Sequence, residues 1–162
     1  AHAEGLLLRG VLCMQREQYR EAEASFSLAM QQGANRKKCL MGMGMASLGR
    51  AYAQGAWEQF LLVLAEHPDD AEAVHWLLRA GTAQNRWAEL SGHLRQYVLR
   101  NPGDLAVRFA LAGVLVRAER IDEARREHDG LQAIAPEFDG LADLGRVIAG
   151  KETVLAMEAA QT

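Results

Sequence analysis

Residues 37–70 read KKCLMGMGMASLGRAYAQGAWEQFLLVLAEHPDD, and they contain two runs of apolar residues with helical spacing. The first run begins at Leu40 and the second is centred on Phe60, and a short polar break separates the two. Apolar residues three and four positions apart mark one face of an amphipathic helix. Pro68 follows the second run, where the chain must leave helical geometry because proline lacks an N–H and disfavours helix in the residue before it. The stretch therefore predicts a helical hairpin.

The same pattern recurs with a period of 34 residues. The only three prolines, Pro68, Pro102 and Pro136, are separated by 34 residues each. Other positions keep this register: Ala22, Ala56, Leu90 and Ala124; Phe26, Phe60, Leu94 and His128; Gly10, Gly44, Leu78 and Ala112; Leu6, Leu40, Val74 and Arg108. A fixed period of this length is the signature of stacked helical hairpins. We predict four repeats, at about 3–36, 37–70, 71–104 and 105–138.

These columns resemble the tetratricopeptide repeat (TPR), whose 34-residue pattern has a Leu-Gly pair, a later Ala and Phe, and a final Pro. Gly44, Ala56, Phe60 and Pro68 make the second repeat the most faithful. The resemblance implies an all-α fold, a right-handed α-solenoid of four helix-turn-helix (TPR-like) repeats. It also implies that the first helix of each hairpin lines a concave inner wall.

The residues after Phe138 depart from the repeat. Leu141, Leu144 and Ile148 form one apolar stripe without the Ala, Phe and Pro columns. An apolar stripe at this place predicts a helix that caps the exposed edge of the fourth repeat. Gly150 is expected to end that helix and a shorter one to follow it, so that capping helices occupy residues 139–160.

The fourth repeat is the least regular part of the predicted array. Arg108 and His128 occupy columns that are apolar in the other repeats, which predicts a more exposed hairpin. With this exception, we expect residues 1–162 to form a single TPR-like array. Because the chain begins at Ala1 without Met, we expect it to be an excerpt or a processed product.

Composition indicates an ordinary globular protein. Of the 162 residues, 49% are hydrophobic, and the net charge is -3. Nucleic-acid binders carry clustered Lys and Arg that neutralise phosphates, and no such cluster is present, so we expect no nucleic-acid partner. No apolar run reaches the 18 or so residues that a membrane span requires. We therefore expect a protein or peptide partner.

Catalytic and metal-binding patterns are missing from the sequence. Cys13 and Cys39 lie too far apart in the predicted stack for a disulfide, so we expect two free thiols, which favours the cytoplasm without fixing the compartment. The five histidines do not pair at metal-ligand spacing. They are His2, His67, His75, His93 and His128. We predict no enzymatic activity, no cofactor and no metal, since no nucleophile, base and orienting group occur as a set.

The inner positions of the predicted stack are apolar in the first two repeats. Read in steps of 34, they form rows on the first helices that are separate from the core stripe. Exposed apolar surface usually marks an interaction site, and methionine adapts to irregular apolar partners. The predicted peptide-binding groove consists of Leu7, Val11, Met14, Met41, Met45, Leu48, His75, Arg79, Phe109, Val116 and Arg117.

The sequence thus predicts a non-enzymatic protein-interaction scaffold that binds an apolar or amphipathic segment. Three alternatives stay open. The array is an accessory region of a larger bacterial enzyme of the glycosyltransferase or methyltransferase type, or it forms a homodimer through the apolar surface, or another segment of the protein covers that surface. Glu23 is expected on the outer second helix, where changing its charge should alter neither stability nor binding.

Overall fold

A computed structural model describes residues 2–162 and contains nine helices in that range. They are α1 (His2–Gln15), α2 (Tyr19–Gln31), α3 (Arg36–Gly49), α4 (Ala53–Glu66), α5 (Ala71–Ala83), α6 (Trp87–Arg100), α7 (Leu105–Arg117), α8 (Ile121–Ile134) and α9 (Leu141–Ala160). No residue from 2 to 162 is in a strand. The all-α prediction is confirmed, while residue 1 of the predicted array lies outside the described residues.

The helix boundaries follow the positions of the prolines and of two aspartates in the sequence. Pro68, Pro102 and Pro136 each stand two residues after the end of a helix. Asp70 and Asp104 cap the helices that follow the first two prolines. The side chain of Asp70 accepts a hydrogen bond of 2.9 Å from the N–H of Ala73, and that of Asp104 accepts one of 3.2 Å from the N–H of Val107. Such caps satisfy backbone donors that a helix start leaves free.

The helices form two compact units, which divide between Arg86 and Trp87. In the first unit, α1 pairs with α2 and α3 with α4, α2 packs on α3, and α4 packs on α5. In the second unit, α6 packs on α7, α7 pairs with α8, and α9 packs against α8 and α7. Each unit therefore stacks consecutive helices in the manner of a helical-repeat array.

Glycine allows aromatic rings to reach the helix backbones in the first unit. A Cβ atom placed on Gly10 or on Gly42 would lie only 2.6 Å from the ring of Phe26. A Cβ on Gly44 would lie 2.5 Å from the ring of Phe60, which is completely buried. Since real Cβ atoms do not approach this closely, these three positions require glycine for packing, and the second repeat has the predicted register.

The turn inside each predicted hairpin contains a residue with positive φ. These residues recur every 34 positions and are Glu17, Ala51, Asn85 and Glu119, with φ of 58°, 61°, 54° and 61°. The N–H of the next residue donates to the carbonyl five positions back, as from Gln18 to Cys13 at 2.9 Å, which is the Schellman motif. Glycine usually occupies this position because other residues adopt it at a cost of about 1–2 kcal/mol.

Glu23 is not the free surface residue that the sequence predicted. Its carboxylate accepts hydrogen bonds from Ser47 Oγ and, at 2.7 Å, from Arg50 Nε. These bonds join α2 to α3 across the boundary between the first two repeats. We therefore expect a change of its charge to lower stability, in contrast to the expectation from the sequence.

Helix α9 caps the second unit, as predicted, through the buried side chains of Leu141 and Ile148. The expectation that it ends at Gly150 is wrong, because α9 continues to residue 160. Glycine inside a helix costs only about 1 kcal/mol relative to alanine. Beyond Gly150, Glu152 accepts a hydrogen bond of 2.6 Å from Arg125 of α8, so the contact between the two helices continues past the glycine.

The fourth repeat is less exposed than its sequence suggested. His128 is only 4% exposed, because α9 covers it. Its Nε2 lies 3.1 Å from the carbonyl oxygen of Leu141, and its Nδ1 lies 3.2 Å from the carboxylate of Asp129. Arg108 is half-buried and donates from a terminal nitrogen to the Pro102 carbonyl at 3.4 Å. The ring of His128 is tolerated here because it has hydrogen-bond partners, whereas the buried Nε of Arg108 has none among residues 2–162.

Truncating Phe60 tests the register of the second repeat. We expect Phe60→Ala to lower the free energy of unfolding by about 3–5 kcal/mol, as for other buried aromatic residues. Urea unfolding followed by circular dichroism measures the change. The control is Leu62→Ala on the same helix, where the side chain is 44% exposed and the cost should be below about 1 kcal/mol. Equal costs for the two variants would contradict the register.

Glycine substitutions test the strain in the turns. Ala51→Gly should raise the free energy of unfolding by about 1 kcal/mol, because glycine relieves the positive φ at this position. The matched control makes the same chemical change at Ala24, which is exposed in the middle of α2. Ala24→Gly should lower stability by about 1 kcal/mol. The prediction fails if the two substitutions change the urea midpoint in the same direction.

Removing residues 139–162 tests the cap. Without α9, the apolar faces of α7 and α8 become exposed to water, so we expect a lower melting temperature and aggregation in light scattering. The control removes only residues 158–162, which are exposed, and should behave as the full chain. A chain ending at residue 138 that unfolds at the same temperature and remains in solution would rule out the cap.

Candidate functional site

An apolar cleft of about 440 Å³ lies in the first unit. Its lining residues are Leu7, Val11, Phe26, Asn35, Lys37, Lys38, Met41, Gly42, Met45 and Glu72. The cleft therefore unites four residues of the predicted groove, which are Leu7, Val11, Met41 and Met45. Most of the remaining lining residues belong to α3 or immediately precede it.

Helical spacing explains the shape of the cleft. Leu7 and Val11 are four residues apart on α1, and Met41 and Met45 are four residues apart on α3, so each pair forms a ridge along its own helix. Gly42 has no side chain to fill the space between the ridges. The ring of Phe26, which comes from α2, closes the bottom of the cleft at this glycine.

The four apolar residues differ in how far they face water. Val11 is 43% exposed, Leu7 and Met45 are half-buried, and Met41 is only 6% exposed. Met41 therefore packs mainly within the protein. Val11, Leu7 and Met45 provide the accessible apolar surface of the cleft.

One end of the cleft is polar. Lys37 forms an ion pair with Asp70, and the hydrogen bond and the attraction of this carboxylate raise the pKa of Lys37. Burial opposes the ionisation of Asp70, but hydrogen bonds from Lys37 and from the N–H of Ala73 outweigh it and lower its pKa. The exposed side chains of Lys38 and Glu72 complete this end. A bound segment would therefore meet apolar surface along the ridges and charges at one end.

Four other residues of the predicted groove in the first unit do not line the cleft. Met14 is half-buried and packs against the core around Phe26, and Leu48 is also half-buried. His75 and Arg79 are exposed on α5. The guanidinium of Arg79 lies 4.8 Å from the centre of the Trp76 ring, a cation–π contact.

The predicted groove residues of the second unit belong to other contacts. Phe109 packs against Phe138, with ring centres 5.2 Å apart. Arg117 lies 4.9 Å above the ring of Trp87. Val116 is buried and borders a separate cleft of about 410 Å³.

This second cleft was not found from the sequence. It is lined by Val116, Glu119, Ile121, Lys151, Val154, Leu155 and Glu158. The sequence did carry a signal, because Val154, Leu155 and Met157 place three large apolar side chains near the end of the predicted capping helices. All three side chains are at least half exposed.

The two cysteines are buried, and the described part of the chain gathers no group of potential metal ligands. Cys13 and Cys39 are buried free thiols, and burial raises the pKa of Cys39, which disfavours the reactive thiolate. Across residues 2–162, no group of three His, Cys, Asp or Glu side chains is placed to hold a metal ion. Over the same residues, no helix combines the length and the apolar character that crossing a membrane requires.

Comparison by sequence finds no matching family model and no matching curated protein. Comparison by structure finds MamA proteins. The MamA RS-1 ArsTM double mutant has a TM-score of 0.73 at 19% identity, over 99% of this chain and 97% of that chain. MamA MSR-1 has a TM-score of 0.68 at 19% identity, over 95% of this chain and 87% of that chain.

A TPR protein is also similar. The thermophilic TPR protein of Thermus thermophilus has a TM-score of 0.52 at 17% identity, over 93% of this chain and 99% of that chain. At such low identity the similarity concerns the fold, since function depends on the site rather than on the fold. The chain therefore has the helical-repeat fold of tetratricopeptide repeat proteins, as the resemblance of its sequence predicted.

Proposed function

We propose that the protein is a non-enzymatic protein-interaction scaffold and that the cleft between α1 and α3 binds an apolar or amphipathic segment of a protein partner. The observation that carries this proposal is the accessible apolar surface of Leu7, Val11 and Met45. The core beneath these residues is already filled by Phe26 and its neighbours. Apolar surface that stays accessible once the core is packed is best explained by a partner that covers it.

The size of the cleft suits a few side chains of a peptide. Ligand pockets range over roughly 300–1,000 Å³, and this cleft has about 440 Å³. It is open at the surface rather than enclosed, so the main chain of a bound segment can stay outside while its apolar side chains enter. Helical-repeat proteins offer extended surfaces of this kind to peptides and helices.

The residue types favour a partner with adaptable apolar contacts. Met45 is unbranched and can change its rotamer at low cost, so it fits aliphatic and aromatic side chains alike. Specificity then comes from the polar end, where Lys38 and Glu72 offer one charge of each sign. A segment with apolar residues followed by a polar or charged residue has the matching pattern.

Selection of peptides from a displayed random library tests the proposal. We expect the selected peptides to share two apolar residues three or four positions apart, which is the spacing of the ridges. Fluorescence anisotropy with one labelled peptide then compares variants. Val11→Asp and Met45→Asp should each weaken binding at least about tenfold, because the introduced charge must lose its water on binding.

The control is Leu62→Asp, which introduces the same charge at an exposed site on α4, away from the cleft. It should leave the affinity unchanged, and circular dichroism should show all three variants to be folded. Val11 is the decisive position because its side chain is exposed, so Val11→Asp is not expected to unfold the protein. Peptides that bind Val11→Asp and the parent equally well would exclude the cleft as their site.

A further inference from the structure

Equivalent positions on α1, α3 and α5 lie side by side in the first unit. Three pairs of residues that are 34 positions apart in the sequence line the same cleft. These pairs are Leu7 and Met41, Val11 and Met45, and Lys38 and Glu72. Helix α3 also contacts α5 directly. The wall that contains the cleft therefore follows the period of the sequence from α1 through α3 to α5.

The apolar rows of this wall end in polar residues on α5. The row of Val11 and Met45 continues with Arg79, and the row of Met41 continues with His75. Both polar side chains are exposed and lie outside the cleft. Since packed helices have axes about 8–10 Å apart, Arg79 lies within one helix spacing of Met45. The wall changes from apolar on α3 to cationic on α5.

Aromatic rings hold the side chain of Arg79 in place. Its guanidinium lies 4.8 Å from the centre of the Trp76 ring, and the ring of His75 meets the same indole edge-on at 6.3 Å. The Trp76 ring in turn stacks on the buried ring of Phe60, with ring centres 6.2 Å apart. A guanidinium that stacks on an aromatic face keeps the N–H groups at its edge available. Trp76 therefore orders the cation without using its hydrogen-bond donors.

The charge of Arg79 has no acidic partner within residues 2–162. Other cations of the first unit do have one, as Lys37 pairs with Asp70 and Arg50 pairs with Glu23. No residue three or four positions from Arg79 on α5 is acidic, so the helix itself supplies no ion pair. An ordered guanidinium with available N–H groups suits a carboxylate, which it can bind through two parallel hydrogen bonds.

We propose that Arg79 binds the carboxylate of an acidic residue in the same partner segment whose apolar residues occupy the cleft. This inference rests on the proposed function, since the apolar contacts bring the segment to the wall and Arg79 then selects among apolar segments. The partner is an amphipathic segment in which Asp or Glu stands a few residues from the apolar pair. Lys38 suits this role less well, because Glu72 lies at the same end of the cleft and repels a carboxylate.

Selection from the displayed library tests the chemistry of the partner. We expect peptides selected by the parent to carry Asp or Glu at a fixed distance from the two apolar residues. Selection on Arg79→Glu should keep the apolar pair and replace the acidic residue by Lys or Arg, because the reversed charge repels a carboxylate. Parent-selected peptides without an acidic residue overturn the inference, and so does selection of the same acidic peptides by both chains.

A thermodynamic cycle tests the pairing itself. One selected peptide is compared with a form in which the amide replaces its acidic residue, by fluorescence anisotropy at low ionic strength. The parent should bind the amide form about two- to fivefold more weakly, as for an exposed ion pair. Arg79→Ala should bind both forms equally, because the partner of the carboxylate is missing.

Two controls remove a positive charge elsewhere in the first unit. Arg20→Ala changes an exposed residue of α2, and Lys38→Ala changes the cation of the cleft, so both should keep the preference for the acidic peptide. Circular dichroism should show all variants to be folded. A preference that survives in Arg79→Ala, or that either control abolishes, overturns the inference and leaves the cleft as the binding site. Peptides that bind Val11→Asp as well as the parent exclude the cleft, and the inference fails with it.

Discussion

The contact between glycine backbones and buried phenylalanine rings is the constraint on which the rest of the first unit depends. Gly10 and Gly42 lie on either side of the Phe26 ring, close enough that a Cβ at either position would overlap it. This contact draws α1 and α3 onto α2. It also places the ridges of Leu7 and Val11 and of Met41 and Met45 on either side of one cleft, with the ring beneath them. The cleft that we propose as a binding surface is therefore a consequence of how the core is packed.

The sequence predicted what depends on periodicity. Helix positions, the all-α class and the capping helix follow from apolar spacing and from the prolines, because these signals are local. The positive φ of Ala51 and its equivalents could not be read, since none of them is glycine and the closing hydrogen bonds impose the conformation. Gly150 and His128 were misjudged for a similar reason. Glycine lowers helix stability too little to end α9 by itself, and the burial of His128 depends on α9, which is distant in the sequence.

The sequence predicted some of the residues that line the cleft, but not how far each of them is exposed. Stepping by 34 residues grouped eleven side chains, and four of them line one cleft. The period could not show that Met41 is buried while Val11 is exposed, because exposure depends on the neighbouring helix. It also missed that Phe109 and Arg117 would contact aromatic residues, Phe138 and Trp87, instead of standing free. Periodicity identifies which residues share a helix face, and the neighbouring helices determine whether that face is buried or exposed.

Helix α1 shows how one element can serve several contacts. Gly10 and Cys13 face the hairpin core, Leu7 and Val11 face the cleft, and Leu8 lies on the outer edge. A helix that is apolar on nearly all sides is normally buried on all sides. In this structure α1 packs on α2 and makes a smaller contact with α3, so two of its apolar faces remain accessible. The face toward α3 is bounded by a second helix and closed from beneath by the ring of Phe26, which is why this face forms a cleft.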